Sequence, residues 1–485
     1  MSSNSILEKY PNYKTDIGIE IHVQLTTKSK IFCSCPNTIN PQPNSTICQV
    51  CAGYPGVLPV LNKEVVNMAI MAGLATNCTI NKISEFDRKH YFYPDLPKGY
   101  QITQGKKPIC NNGYIEITKE DGTTKKVRIN RIHIEEDAGK NTHSDASLES
   151  FVDLNRAGTP LLEIVTEPDI ESAHEAREYL KNLRLIVQHL GICTGNMEEG
   201  AFRGDTNISV RKKDSLKLGT KCELKNINSF KFISDAIEYE IERQIIAIES
   251  GEKILQETRL WDSKEKKTFV MRVKGEAADY RYLNDPDMPI LEIQETWIKE
   301  IQKSMPELPQ EKKEKLKKDF GLSDYEANIL LNEREISTFF ETCFKINPSK
   351  QLINWILRDL IGFLKEEKIL LAESKITPEL MANFTKLLDD GKINSRVAKE
   401  VFDEFIKTGE VPSDIVKNKG LESITSVNEI EKIIKQIIAS NPKQLEEYKS
   451  GKTKLFGFFV GKTMEATAGK CDPKILQELL HKYLN

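Results

Sequence analysis

No stretch of this chain approaches the roughly 18 consecutive apolar residues that a membrane-spanning helix requires, which excludes a helical membrane protein. Charge of one sign is also missing: 69 Lys and Arg stand against 72 Asp and Glu, a formal net charge of −3. A chain so near neutrality is no generic polyanion binder, and it would have to hold nucleic acid through local patches. The start, Met1-Ser-Ser-Asn-Ser-Ile-Leu-Glu-Lys-Tyr10, has neither the basic nor the apolar region of a secretory signal. The expectation is a cytoplasmic protein, or one of an organelle matrix. Ten cysteines in 485 residues are too few for a disulfide framework; clustered ones are candidate metal ligands and scattered ones packing residues. There is no HExxH and no phosphate loop. Gly457-Phe-Phe-Val-Gly461-Lys462-Thr463 has three bulky apolar residues between its glycines, where GxxxxGK[ST] needs four. It reads instead as a tightly packed helix end. Internal repeats and low-complexity linkers are absent as well.

What is present is the composition of a soluble globular chain, 39% apolar and 29% charged, long enough for two to four domains. Residues 1–295 are rich in Gly-punctuated, β-branched runs. From Ile19 to Leu25 apolar and polar residues alternate, so that Glu20, His22 and Gln24 share one face of a half-buried strand. Similar strands are expected at Tyr114–Thr118, Lys126–Ile134, Pro160–Thr166, Asn207–Val210 and Cys222–Lys225. Helices are expected at Ser172–Leu190 and Ser234–Glu249. The irregular order favours α+β with a mostly antiparallel sheet. Beyond Leu291 helical patterns dominate: a broad apolar face from Leu352 to Leu364, a helix capped at Thr377-Pro378 and closed by Gly391, another from Ser395 to Thr408 stopped by Gly409, and a last one after Asp472-Pro473.

Cys33-x-Cys35-x12-Cys48-x2-Cys51 is the strongest local motif. Two close thiol pairs can wrap one Zn²⁺ tetrahedrally with no open position; the alternative is four free thiols. The loop between them holds Pro36, Pro41 and Pro43 and few large apolar residues, so a metal staple suits it. Acidic groups also gather beside strand ends: Glu20 with His22, then His133-Ile-Glu-Glu-Asp137, then Met197-Glu-Glu-Gly200 before Arg203-Gly-Asp-Thr-Asn207. Such a set suits Mg²⁺ shared with phosphate oxygens, against the alternative of a solvated face. Arg88-Lys-His-Tyr-Phe-Tyr-Pro-Asp-Leu-Pro-Lys-Gly-Tyr100 mixes cations and aromatics in a rigid loop. It could stack a base through Tyr91 or Tyr93 while Lys89 holds phosphate, or it could be an aromatic core turn.

Taken in order, Gly18-Ile-Glu-Ile-His-Val-Gln-Leu25, Cys51-Ala-Gly-Tyr-Pro-Gly-Val-Leu-Pro-Val-Leu-Asn62, Phe86-Asp-Arg-Lys-His-Tyr-Phe-Tyr-Pro-Asp-Leu-Pro-Lys-Gly-Tyr-Gln101, Ile134-Glu-Glu-Asp-Ala-Gly-Lys140, Asn196-Met-Glu-Glu-Gly200, Lys225-Asn-Ile-Asn-Ser-Phe230 and Phe458-Phe-Val-Gly-Lys-Thr-Met-Glu-Ala-Thr-Ala-Gly469 resemble the B subunits of the glutamine-dependent aspartyl/glutamyl-tRNA amidotransferases, over nearly the whole length. The resemblance implies a glutamine-synthetase-like catalytic domain over 1–295, a helical domain over 296–407 and a tRNA-contacting helical tail over 408–485. It implies a carbon–nitrogen ligase with glutamine as amido donor. Glu-tRNA(Gln) or Asp-tRNA(Asn) would be phosphorylated with ATP on its side-chain carboxylate and then amidated by ammonia. Its partners would be the tRNA itself, an amidase A subunit, which releases the ammonia, and a small C subunit.

Carried over residue by residue, the resemblance makes Glu20, Lys89 and Asp205 catalytic. Lys89, Tyr91, Tyr93 and Arg203 would bind nucleotide. Glu20, His22, Glu135, Glu136 and Glu198 would ligate Mg²⁺, and Cys33, Cys35, Cys48 and Cys51 would hold structural Zn²⁺. Gly204 replaces a cysteine common in the family, which excludes a catalytic thiol there, and Leu283-Asn284 and Arg272-Val-Lys-Gly-Glu276 also depart from the pattern. Lys392, Arg396, Lys399, Lys417, Lys419, Lys452, Lys454 and Lys462 could form a phosphate-gripping patch, or an ordinary helix surface. Two other classes compete: a noncatalytic tRNA-binding module, which has no need of carboxylates beside phosphate, and a metal-dependent hydrolase, disfavoured by the closed cysteine site.

Overall fold

The computed structural model describes residues 6–38, 42–143, 149–225, 227–273, 280–423, 427–467, 469–471 and 473–484. The chain divides into two compact units, Met1–Lys312 and Lys313–Asn485.

The first unit is built around β1 (Tyr13–Gln24), which carries the alternation read from the sequence. Ile17, Ile19, Ile21 and Val23 are buried on one side, and Glu20, His22 and Gln24 face the other. The sheet runs in the order β14 (Lys267–Val273), β13 (Glu257–Asp262), β12 (Cys222–Lys225), β11 (Phe202–Lys212), β1, β10 (Pro160–Thr166), β7 (Thr124–Glu136), β6 (Cys110–Thr118), β2 (Thr79–Ile80). Only β12 and β13 pair in parallel; every other neighbouring pair in this sheet is antiparallel. Smaller sheets join β15 (Leu283–Asn284) to β4 (Asp87–His90) and β5 (Tyr100–Thr103), β16 (Leu291–Glu292) to β3 (Ile83–Ser84), and β8 (Lys140–His143) to β9 (Ser150–Asp153). The aromatic and basic loop is thus the connection between β4 and β5. Of the divergent segment 272–285, residues 274–279 lie outside the described residues, and Leu283 and Asn284 form β15.

The short α1 (Ile6–Lys9) precedes β1. α2 (Lys63–Ala75), α3 (Ala173–His189) and α4 (Phe230–Glu249) bury their apolar faces in the core that the odd-numbered side chains of β1 enter. That covering leaves the Glu20–His22 face of the sheet for chemistry. Ser172 caps α3 by accepting from Glu175 N at 3.1 Å. α4 starts earlier than expected, at Phe230, because Ser229 caps it through Phe232 N at 3.1 Å. Sequence texture placed the first break after 295, yet the helix Glu295–Ser304 packs Trp297, Ile298 and Ile301 onto this same core.

The second unit is helical, so the whole is α+β. The apolar face 352–364 is realised with a π-helical segment, Trp355–Leu360, between two α-helical ones; the wider turn still buries Ile356 and Leu360. Trp355, Phe384, Phe402 and Phe405 pack ring on ring with centroids 4.8–5.6 Å apart. The helices Pro378–Asp389 and Ser395–Thr408 begin and end as their caps predict, with Gly391 at φ 68° and Gly409 at φ 77° supplying the left-handed stops. Ile430, Ile434, Phe459, Leu476 and Leu480 form a further cluster. The segment Gly457–Thr463 lies within the helix Phe456–Ala466 rather than at a helix end. The last helix is Pro473–Leu484; its expected cap, Asp472, lies outside the described residues. Among the described residues no helix is long and apolar enough to cross a membrane.

Candidate active site and cysteine cluster

Strand register assembles the site. Glu20 of β1 lies opposite Asp205 of β11, His22 opposite Glu163 of β10, and Glu163 opposite His133 of β7. Directly opposed residues share a sheet face, and Glu135, two positions beyond His133, shares it too. His22 Nε2 lies 3.4 Å from Glu135 Oε1 and 3.6 Å from Glu163 Oε2; His133 Nε2 lies 3.3 Å from Glu163 Oε2 and 3.7 Å from Glu135 Oε2. Burial alone would strip His22 of its proton, but the bonds and charges of Glu135 and Glu163 outweigh it and push its pKa up to about 10. His133 rises to about 9 against the same opposing burial. Burial likewise works against ionising Glu135, yet the two imidazoles hold it down to about 2. One ligand atom each from His22, Glu135 and Glu163 falls within 4.8 Å of the others. An imidazole nitrogen and two carboxylate oxygens at that spacing fit a hard divalent cation.

Glu20 sits on the same face and accepts from Asn207 Nδ2 at 3.0 Å. Burial and then the charges of Glu163 and Glu223 raise its pKa. Lys89, on β4, faces Glu135 and Glu163. Burial works to discharge it, but these carboxylates keep its pKa above the usual lysine value. Lys89 Nζ also lies 5.0 Å from the Tyr280 ring. Tyr91 and Tyr93 stack with centroids 4.9 Å apart and planes at 17°, and Tyr93 is exposed. Arg203, opposite His22, donates to Asp137 Oδ2 at 2.8 Å. Asp205 accepts from Lys225 Nζ at 2.6 Å.

Two of the expected Mg²⁺ ligands are not brought to this group. Glu136 follows Glu135 on a strand and therefore points to the opposite face, where it pairs with Lys98 and accepts from Ile102 N at 2.8 Å. Glu198 is exposed in the turn after Asn196, its own N–H donating to Asn196 Oδ1 at 3.0 Å. Conversely, sequence reasoning missed Glu163 and Lys225. Glu163 had a readable sign: it is the only charged residue in the run Pro160–Thr166, and a charge inside a buried strand needs partners.

Cys33, Cys35, Cys48 and Cys51 bring their sulfurs within 4.8 Å of one another. Cys51 Sγ is 3.9 Å from Cys48 Sγ and 4.0 Å from Cys35 Sγ, near the separation of about 3.8 Å that tetrahedral Zn–S bonds of roughly 2.3 Å imply. A hydrogen bond from Cys33, the Cys48 amide and the Lys30 ammonium hold the Cys51 thiol down to about 4 against burial, while burial pushes Cys35 up to about 11. Lys30 is fully buried, its Nζ 3.6 Å from Cys51 Sγ. The donor set suits Zn²⁺. The other six cysteines are buried. In the second unit Lys399, Lys419, Lys452 and Lys462 each hold a carboxylate, at 2.9, 2.5, 3.1 and 2.8 Å respectively, which blunts the basic patch read from sequence.

Residues 15–299 match the GatB/GatE catalytic domain family and residues 338–484 the GatB domain family. A protein of Thermodesulfovibrio yellowstonii, named as the B subunit of an aspartyl/glutamyl-tRNA(Asn/Gln) amidotransferase, is 50% identical over 473 residues, 97% of this chain and 99% of that one. Proteins of the same name from Brachyspira hyodysenteriae and Thermotoga maritima are each 48% identical, over 480 and 478 residues, covering 98% and 97% of this chain and 99% of theirs. Two family matches and relatives aligned from end to end leave one assignment: this chain belongs to the family of aspartyl/glutamyl-tRNA(Asn/Gln) amidotransferase B subunits.

Proposed function

We propose that the chain carries out the ATP-dependent transamidation of Glu-tRNA(Gln), Asp-tRNA(Asn) or both. It would do so in a cytoplasmic complex with an amidase A subunit, which releases ammonia from glutamine, and a small C subunit. The side-chain carboxylate of the tRNA-borne amino acid attacks the γ-phosphate of ATP; ADP leaves and an acyl phosphate forms. Ammonia then attacks the acyl carbon, phosphate leaves, and the amide remains. The observation that carries this reading is the convergence of His22, Glu135, Glu163 and Lys89 on one sheet face of a chain in this family.

Each residue has a task in that scheme. His22, Glu135 and Glu163, with Glu20 beside them, would hold Mg²⁺, which when bound neutralises phosphate charge and orients the γ-group. Lys89 holds charge on the moving phosphoryl group. Tyr91 and Tyr93 offer a stacked pair to the adenine, and Arg203 a cation to the nucleotide phosphates. Asp205 accepts the proton that the amine loses after attack. Cys33, Cys35, Cys48 and Cys51 would hold Zn²⁺ as a staple for their proline-rich loop. The basic residues of the second unit would position the tRNA.

The test is to incubate the assembled heterotrimer with Mg-ATP and Glu-tRNA(Gln) or Asp-tRNA(Asn) in the absence of any amide donor. ADP that forms only with charged tRNA supports the ligase. No such ADP would leave a noncatalytic tRNA-binding role as the better reading.

A further inference from the structure

Three carboxylates crowd the β11–β12 side of the face. Asp205 lies opposite Glu20 in the strand register. Glu223 of β12 lies opposite Asn207, which itself donates to Glu20. Unopposed, three negative groups so close would repel one another and drive Asp205 to turn away. Lys225 answers this crowding. Its Nζ lies 2.6 Å from Asp205 Oδ2 and 3.1 Å from Glu223 Oε1. Glu223 is fixed in turn, accepting from Thr258 Oγ1 at 2.8 Å. Lys225 is only about a third exposed, with 33% of its side chain accessible. Burial works to discharge it, and Asp205 and Glu223 hold its pKa above the usual lysine value, so it stands as an ammonium.

We propose that Lys225 is a positioning residue for the amination half of the reaction, fixing the Asp205 carboxylate toward the incoming amine. The inference rests on the ligase reading above. In the step it serves, the nitrogen lone pair forms the C–N bond and the C–O bond to phosphate breaks. Its electron pair leaves with phosphate, and one N–H proton passes to the Asp205 carboxylate. Lys225 touches none of these atoms. The activation half is served by His22, Glu135, Glu163 and Lys89, none of which is in the Lys225 ion pair.

The two halves can be read separately in the assembled heterotrimer, with ammonium chloride as the nitrogen donor so that the amidase is bypassed. ADP and amidated tRNA are measured in the same reaction. Replacing Lys225→Met is expected to lower amide formed per ADP by tenfold to about a hundredfold, up to the low end of what a positioned base contributes. Excess acyl phosphate is lost to water. Lys225→Arg, which keeps the charge and can still reach both carboxylates, is expected to recover a large part of the ratio. An unchanged ratio in Lys225→Met overturns the proposal. So does a parallel fall of ADP and amide in both variants, the mark of a merely structural lysine. The unsubstituted heterotrimer in the same assay separates the two ideas: if it makes no charged-tRNA-dependent ADP, the ligase reading fails rather than the role of Lys225.

Discussion

Glu135 and Glu136 are adjacent in sequence and opposed in space: Glu135 lies 3.4 Å from His22 on one face of the sheet, and Glu136 pairs with Lys98 on the other. The strand pleat does this without any further device. A segment that reads as a double acidic ligand therefore places one carboxylate beside His22, and Glu163 of the neighbouring strand places the second.

Binding of Mn²⁺ in place of Mg²⁺ separates these residues. Glu135→Gln and Glu163→Gln are expected to weaken Mn²⁺ binding, followed by electron spin resonance or calorimetry, by at least about tenfold, since removing even an outer-shell partner costs that much. Glu136→Gln is expected to leave the affinity within about twofold, a range set by its lack of any contact with the site. Equal losses in all three variants would place the cation somewhere other than the His22 group.

The cysteine cluster predicts a metal content. Purified protein should carry about one zinc per chain, measured by plasma emission. Cys51→Ser should lose it, with a fall in unfolding temperature of about 4 °C or more, the scale of one or two kcal/mol in a unit of this size. Cys193→Ala, which removes a singly buried thiol, should keep the zinc. A metal-free wild type whose thiols all react with an alkylating probe would leave four free cysteines.

How far the sequence carries the reader depends on the range of the interaction. The strand alternation around Glu20 and His22, the cap at Thr377, the glycine stops at Gly391 and Gly409 and the four-cysteine spacing are local, and each was legible. Strand order is not local. Nothing between Pro160 and Thr166 says that this run lies between β1 and β7, so Glu163 could not be assigned to His22. The family resemblance carried Glu136 and Glu198 along as ligands, and only the pleat and the exposed turn sort them from Glu135. The π-helical turn at Trp355–Leu360 is likewise a packing outcome, because it preserves the same apolar face that an unbroken α-helix would show.

Asp169 offers a test of the frame by pH. Burial would raise its pKa, but Arg128 donates from its backbone N at 3.0 Å, from Nε at 2.8 Å and from Nη2 at 2.7 Å, and the net effect lies below the ordinary value of 3.8. A folded-state pKa below the unfolded one means that ionised Asp169 stabilises the fold. That contribution is present in full above pH 3.8 and is lost as pH falls through the lower folded value. Asp169→Asn should therefore cost about 0.5–1 kcal/mol at pH 7, the range of partly exposed ion pairs, in denaturant unfolding. The gap between the two proteins should narrow only in strong acid. A gap that closes already near pH 6 would assign the effect to another group.

Lys89 decides whether the acidic face performs phosphoryl chemistry. A half-buried lysine beside Glu135 and Glu163 stays charged because those carboxylates outweigh its burial, and a fixed ammonium is what a migrating phosphoryl group needs. If the site merely bound tRNA, removing one cation would weaken binding and leave nothing else to measure. In the ligase, Lys89→Met should lower charged-tRNA-dependent ADP formation by about 10²–10³-fold, the range seen when one electrostatic stabiliser is removed, while tRNA affinity by filter binding stays within about threefold, because the loss falls on the transition state and not on ground-state binding. Lys89→Arg should not restore the rate, since a planar guanidinium fork does not reproduce the compact point charge of an ammonium. ADP formation that survives Lys89→Met with only tRNA affinity reduced would turn this face into a binding surface and remove it from the chemistry.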